Sequence, residues 1–249
     1  MSATYPTKIV LAFRSGDLCA FPGCSKQLTV NAPTGGNSVV IGQAAHIAGE
    51  NSKAARYDTT MDDISRNHYD NLIYLCGDHH TQIDKQEKHF PVDILLRLKA
   101  EHEAKVRKAI NNAFAQIGFS ELQVATEWVN HFQPAQDTQD YALLPPGAKI
   151  RKNDLKNGSR VTITMGLSVA KLVGEFVQAE ALIDEDYPER LKAGFLAEYF
   201  QWRRQGIQGD DLFDLMCNFA QRGMQGQTRR SAGLAVLVYL FEKCDVFEK

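Results

Sequence analysis

Two short pairs of potential metal ligands stand out in the first third of the chain, Cys19-x4-Cys24 and Cys76-x2-His79. Each spacing lets both side chains reach one ion from a single turn, and four nitrogen and sulfur ligands complete a tetrahedral zinc shell. The competing reading is a set of free thiols, with His79 an exposed residue at a helix start. A second group is spread more widely. His46 closes one candidate strand, Asn71 opens the next, and His80 follows directly after it. A strand–loop–strand–helix order of this kind can bring the two histidines to opposite sides of one small cleft. Six of the seven histidines and three of the five cysteines fall before residue 112, so titratable and ligating chemistry is concentrated at the N-terminal end.

The elements that must position these residues are short. Residues 5–15 read as a helix with Ile9, Val10 and Phe13 on one side and Gly16 as its stop signal. The Pro22-Gly23 pair folds the chain back between Cys19 and Cys24. Residues 31–37 are loop by composition, and Ser38–Ile41 reads as a strand leading to Ala44–Ile47. Gly49–Asp70 carries almost no apolar periodicity and is expected to be a long loop, a kind of segment that is often functional. Asn71–Cys76 is a second strand, and Pro91 opens a long amphipathic helix that runs to about Ile117, before Gly118. Three or four further helices are expected, over roughly 161–183, 187–205, 210–222 and 228–243, with Pro188, Asp210 or Asp211, Gly206 and Gly223 as their punctuation. The polar run 133–140 and the Leu144-Pro-Pro-Gly147 breaker suggest three parts: a domain over 1–118, a linker over 119–148 and a helical association domain over 149–249.

The order of these residues resembles the HNH endonuclease motif on a ββα-metal fold, closest to the zinc-stapled form of bacterial defence effectors. The residues that carry the likeness are Ala45-His46-Ile47, Tyr69-Asp70-Asn71-Leu72-Ile73-Tyr74-Leu75-Cys76 and His79-His80-x-x-Ile83-Asp84, within about residues 10–100. The resemblance implies an α+β fold: an N-terminal ββα-metal nuclease domain with a structural zinc, followed by a mainly α-helical domain. It implies that His46 is the general base, a task suited to imidazole with its reference pKa near about 6.5. By the same likeness Asn71 holds the loop and orients the base, His80 ligates a catalytic Mg2+ or Mn2+, and His79 completes the zinc set with Cys19, Cys24 and Cys76. Many relatives carry an acidic ligand just before the first histidine, where this chain has Ala45, so the ion's other ligands stay open among Asn71, water and substrate phosphate. Asp84 reads as a supporting or helix-capping carboxylate. Lys53, Arg56 and Arg66 are candidates for phosphate contacts, or simply solvated loop residues.

Composition narrows the remaining possibilities. The chain has 249 residues, 44% hydrophobic and 23% charged, which excludes wholesale disorder. Its 28 Lys and Arg against 30 Asp and Glu give a net charge of −2, and residues 1–112 hold 13 basic against 12 acidic residues. Such a balance provides little independent affinity for DNA, which favours delivery by a partner or by self-assembly. The longest apolar run, Ala232–Phe241, is half the about 20 residues a membrane crossing needs, and no signal-peptide pattern opens the chain; a cytoplasmic protein without a membrane partner is expected. Leu144–Asn153, Asp211–Cys217 and the closing Val238–Phe247 resemble the C-terminal domain of effectors in ABC-three-component (Lamassu-like) antiviral systems. That likeness implies a complex with a chromosome-maintenance-type (SMC-like) ATPase and a middle subunit; DNA as substrate is implied by the HNH resemblance, and the many large apolar residues in so small a helical segment suggest a homo-oligomer. The alternative function is a catalytically idle zinc-binding interaction module for DNA or protein. Cys217 and Cys244 read as buried small hydrophobes, and Phe195, Tyr199, Phe200 and Trp202 as helical core or as an interface stripe.

Overall fold

The computed structural model describes residues 3–30, 39–133, 144–224, 226–244 and 246–247. The chain is α+β, mostly helical with a few short strands, and divides into two compact units, Met1–Lys108 and Ala109–Lys249. The loop expected over 31–37 and the strand residue Ser38 lie outside the described residues.

In the first unit, α1 (Tyr5–Arg14) is capped by Thr4, whose Oγ1 accepts from the Thr7 N–H at 3.3 Å, and it buries Val10 and Leu11. Two strand pairs follow. β1 (Thr29–Val30) lies antiparallel to β2 (Val39–Val40), and β3 (Gln43–His46) lies antiparallel to β4 (Leu72–Leu75). The sequence suggested one strand running on from Ser38–Ile41, but Gly42 splits it into β2 and β3. A Cβ on Gly42 would sit 2.2 Å from the Tyr74 ring, so only glycine lets that ring lie across the strand. In the β3–β4 ladder Gln43 faces Leu75 and His46 faces Leu72. All four residues of β4 are buried, which fits its unbroken apolar sequence.

The segment between these strands is not a featureless loop. It contains α2 (Asp63–Arg66), capped by Asp62, and a 3-10 turn over Tyr69–Asn71. After β4 come α3 (Gly77–Lys85) and the long α4 (Val92–Phe114), inside which the two units divide. On α4, Lys99 is buried and donates Nζ to the carbonyls of Tyr69 at 3.0 Å and Leu72 at 2.7 Å, one on each side of Asp70–Asn71. Its ammonium also lies over the Tyr69 ring and pairs with Glu103 at 3.2 Å.

The second unit is a helical array. The stretch expected to be a linker opens with α5 (Phe119–Thr126) and a 3-10 turn over Glu127–His131; its residues 134–143 lie outside the described ones. The Glu121 side chain accepts from the Gly118 N–H at 3.0 Å and starts α5 where a stop was expected. Then follow α6 (Pro146–Lys152), α7 (Asn157–Leu167), α8 (Ala170–Ala181), α9 (Tyr187–Arg204), α10 (Gly209–Ala220) and α11 (Gln227–Lys243). The helix expected over 161–183 is thus two helices. α11 is the centre, buried from Ser231 to Val238 and again at Leu240 and Phe241, and packed by α5, α7, α8 and α10. Each full burial of a Val, Leu or Phe is worth about 1.5–3 kcal/mol, so this helix carries much of the unit's stability. Phe195, Tyr199 and Trp202 are buried, as are Cys217 and Cys244, so these residues are core and not an exposed stripe. Lys149 of α6 and Asn153, its C-cap, reach the end of α11 and the residues just after it. The Lys149 ammonium donates to the carbonyls of Phe241 and Cys244, and the Asn153 amide donates to Phe247 O at 2.8 Å.

Candidate functional site

Four ligand atoms converge in the first unit. Those of Cys19, Cys24, Cys76 and His79 all lie within 4.8 Å of one another. Gly23, at φ +77°, completes the turn that returns Cys24 toward Cys19, while Cys76 caps α3 and His79 sits in its first turn. His79 Nδ1 is 3.5 Å from Cys19 Sγ and 3.1 Å from Cys76 Sγ. A tetrahedral shell with Zn–S of about 2.3 Å and Zn–N of about 2.05 Å has nitrogen–sulfur edges of about 3.6 Å, so the cluster has nearly the size a zinc ion requires. The Phe21 ring stacks on His79 at 4.0 Å and 6°, which fixes the imidazole plane. The Cys76 N–H points at Cys19 Sγ at 3.3 Å. Burial pushes the Cys19 thiol up to about 12, although that N–H pulls the other way; a bound cation reverses the burial effect and makes the thiolate the stable form. Three thiols and an oriented imidazole therefore fit zinc, as the spacing suggested.

The second group is built on the β3–β4 ladder. His46 ends β3, and its Nε2 lies 3.2 Å from Asn67 Oδ1. Asn67 already donates Nδ2 to Asp63 O at 2.9 Å, so its oxygen faces His46 as an acceptor. In the neutral ring, Nε2 of His46 then carries the proton and the lone pair lies on Nδ1. Asn71 is buried just before β4. Its amide accepts from the Ala48 N–H and donates to the carbonyls of Ala48 and Arg66, which closes the intervening segment on itself. His80 stands in the first turn of α3, with Nδ1 at 2.6 Å from Gln43 Oε1 and Nε2 at 3.3 Å from Asp84 Oδ2. Burial alone would raise the Asp84 carboxyl, yet hydrogen bonds from His80 and Arg56 hold it below the usual carboxylate range.

Arg56 and Arg66, candidates for phosphate contacts, are turned inward. The Arg56 side chain is 5% exposed and donates to Ile47 O at 2.8 Å, Ile83 O at 2.7 Å and Asp84 at 2.7 Å. Arg66 is 2% exposed, donates to the carbonyls of Gly49, Asp58 and Met61, and lies over the Tyr57 ring. Both brace the segment from inside, which leaves Lys53 as its exposed cation among the three. His68 pairs locally with Asp70 at 3.2 Å. Two residues escaped the sequence reading. Gln43 had a usable signal, since it shares a strand face with Ala45 at a spacing of two. Asn67 had none, because its contact with His46 depends on how the segment folds. Comparison with protein-family models gives no match, and comparison with curated proteins gives none.

Proposed function

We propose that the first unit is a metal-dependent HNH endonuclease of the zinc-stapled ββα-metal kind, hydrolysing DNA phosphodiesters. One observation carries the reading: the β3–β4 register sets His46 opposite Leu72, beside Asn71, and the next element presents His80 from its first turn. Nδ1 of His46 takes the proton of the attacking water while Asn67 holds the ring through Nε2. Asn71 keeps the segment closed so that the ring stays in place, and Arg56 holds the backbone just after the base through Ile47 O. A divalent cation at His80, Mg2+ or Mn2+, would stabilise negative charge on the scissile phosphate. The zinc set supports the start of α3, from which His80 projects.

The rival reading, a catalytically idle zinc module, has Ala45 in its favour, because the residue before the base offers no ligand. Plasmid nicking with Mg2+ or Mn2+ separates the two. The wild type should nick, and His46→Ala with full zinc content should not. A wild type that leaves supercoiled plasmid intact at every metal and DNA concentration tried would remove the nuclease reading. With two of the three candidate arginine and lysine contacts turned inward and a near-neutral first unit, DNA must be delivered. We extend the proposal to an anti-phage effector whose helical unit assembles with itself or with a partner ATPase.

A further inference from the structure

Residues 144–164 hold five lysines and arginines and a single acid, Asp154, in a chain whose totals nearly cancel. Lys149 is buried and donates to the carbonyls of Phe241 and Cys244, which leaves Arg151, Lys152, Lys156 and Arg160 exposed. Three of these, Arg151, Lys156 and Arg160, line one open cleft of about 570 Å³ together with Ile150 and Leu155. Lys156 pairs with Asp154 where both are largely exposed, a pair worth little in water. Neither guanidinium has an ion-pair partner among the described residues. The backbone that carries these cations is pinned. The Asp210 carboxylate accepts from the Lys156 N–H at 3.0 Å and from Ser159 Oγ at 2.5 Å, and Asn153 ties the end of α6 to Phe247 O.

Helix energetics account for Arg151 and Lys152, which sit in the last turn of α6, where cations offset the helix dipole. They do not account for the other two. Lys156 caps the start of α7 and Arg160 follows one turn later, at the end where a cation opposes the dipole, and no acid occupies that turn. Like charges at this spacing also repel. A cleft that gathers cations against the preference of its own helix is suited to an anion. The cations stand exposed around it instead of enclosing it, which fits a polyanion passing through better than a small ligand held inside. We propose that the corner between α6 and α7 binds the phosphodiester backbone of duplex DNA, with Arg151, Lys156 and Arg160 as its phosphate contacts. The choice of DNA rests on the proposed nuclease reading; the affinity for phosphate does not. Such contacts carry no base information, so the site holds DNA of any sequence. Both units belong to one chain, so DNA held by the second stays at high local concentration for the first, which then needs little phosphate affinity of its own.

The test is binding of the full-length, zinc-loaded protein to a short fluorescent duplex of random sequence, read by anisotropy over a range of salt, with no Mg2+ or Mn2+ added. Arg151→Gln/Arg160→Gln should lower the slope of log K against log salt by about 2, at about 0.9 per lost phosphate contact, and raise Kd about 10–100-fold at about 0.1 M salt. Lys171→Gln/Arg204→Gln removes the same charge from exposed positions of the same unit outside the cleft, and should stay near wild type in both respects. Equal urea midpoints by tryptophan fluorescence check that all three proteins are folded. The proposal is overturned if the cleft variant binds as wild type does, or if the control pair weakens binding equally. A wild type that ignores the duplex but binds phosphatidylserine vesicles would overturn it in favour of a membrane contact. A wild type that binds DNA through Arg151 and Arg160 yet nicks no plasmid would leave this site standing and remove the nuclease reading. A wild type that nicks plasmid while the cleft variant keeps full DNA affinity would remove this site alone.

Discussion

The side chain of Asn71 forms a closed pair of hydrogen bonds with the backbone of Ala48, accepting from its N–H at 2.8 Å and donating to its carbonyl at 2.9 Å. A third bond, from Nδ2 to Arg66 O at 2.9 Å, ties the far end of the intervening segment to the same amide. Asparagine suits the position because it offers an acceptor and two donors on one short, rigid stem. Asn71→Ala leaves buried backbone groups of Ala48 and Arg66 unpaired and should destabilise the first unit by about 2–4 kcal/mol. Asn71→Asp keeps the acceptor and loses both donors, and should be nearly as damaging. Urea unfolding followed through the amide resonances of β4 reads both, and a loss below 0.5 kcal/mol (roughly the scatter of surface substitutions) would show that the pairing matters little.

The bond between His46 and Asn67 predicts a graded effect on catalysis. His46→Ala should reduce nicking by about 10²–10⁴-fold, as loss of a general base does. Asn67→Ala should reduce it less, by about 10-fold, with the loss in kcat and KM unchanged, because Asn67 orients the ring and does not touch the phosphate. An Asn67→Ala protein as slow as His46→Ala would make Asn67 more than a positioning residue.

The metals should separate by chelator and by substitution. Elemental analysis should find one zinc per chain, and Cys24→Ser or Cys76→Ser should lower zinc and folded protein together, since the ion supports a unit with short strands and much irregular backbone. Brief EDTA treatment should stop nicking while zinc remains bound, and added Mn2+ should restore it. Wild-type protein without zinc would remove the stapled-fold argument.

Parts of this arrangement were legible in the sequence for definite reasons. The Cys19-x4-Cys24 and Cys76-x2-His79 spacings are local, so they point to a shared ion whatever the rest of the chain does. α1, α4 and β4 follow from apolar periodicity and their stop signals. What the sequence could not give depends on distant contacts. Gly42 breaks the first strand because the Tyr74 ring crosses it, and Arg56 and Arg66 point inward because carbonyls of the folded segment await them. The break of the 161–183 helix at Ser168–Val169 follows Gly166, a residue whose missing side chain equally serves the close approach of Val238, so its stop signal is ambiguous in sequence. The start of α5 was read as a stop because Gly118 can end a helix or begin one, and Glu121 decides which.

In the second unit, the clasp of Lys149 on Phe241 O and Cys244 O joins two segments that the sequence reading had linked only by resemblance. Lys149→Met keeps the bulk of the side chain but leaves the carbonyls at the end of α11 without their charged donor. It should lower the unit's stability by about 2–3 kcal/mol, the usual result of removing one charged hydrogen-bonding partner from a buried site. Trp128 and Trp202 both lie in this unit, so tryptophan fluorescence during urea unfolding reports it directly. A midpoint unchanged from wild type would mean that the clasp is incidental.

Lys99 makes a prediction whose sign depends on pH. Its burial pushes the ammonium down to about 8 from 10.5; Glu103 opposes that shift and the nearby Arg14 adds to it. Asp70 also draws the ammonium upward, and Tyr69, whose ring lies under Nζ, is held protonated by its own burial. Below about 8 the folded and unfolded chains both carry the charge, and the folded state bears the full cost of burying it. Between about 8 and 10.5 the unfolded chain binds a proton at this site that the folded chain does not, so stability rises with pH through that window. The other titrating groups cancel in a comparison with Lys99→Met, which has no proton to exchange. At pH 7 Lys99→Met should be the less stable protein, because the carbonyls of Tyr69 and Leu72 lose their donor. From pH 7 to 10.5 the gap between the two should widen in favour of wild type by up to about 3 kcal/mol, the worth of a shift of this size at 1.36 kcal/mol per unit. Urea titrations at several pH values, read on the resonances of β4, measure that gap. A gap that stays constant would mean that Glu103 and the two carbonyls keep Lys99 charged throughout.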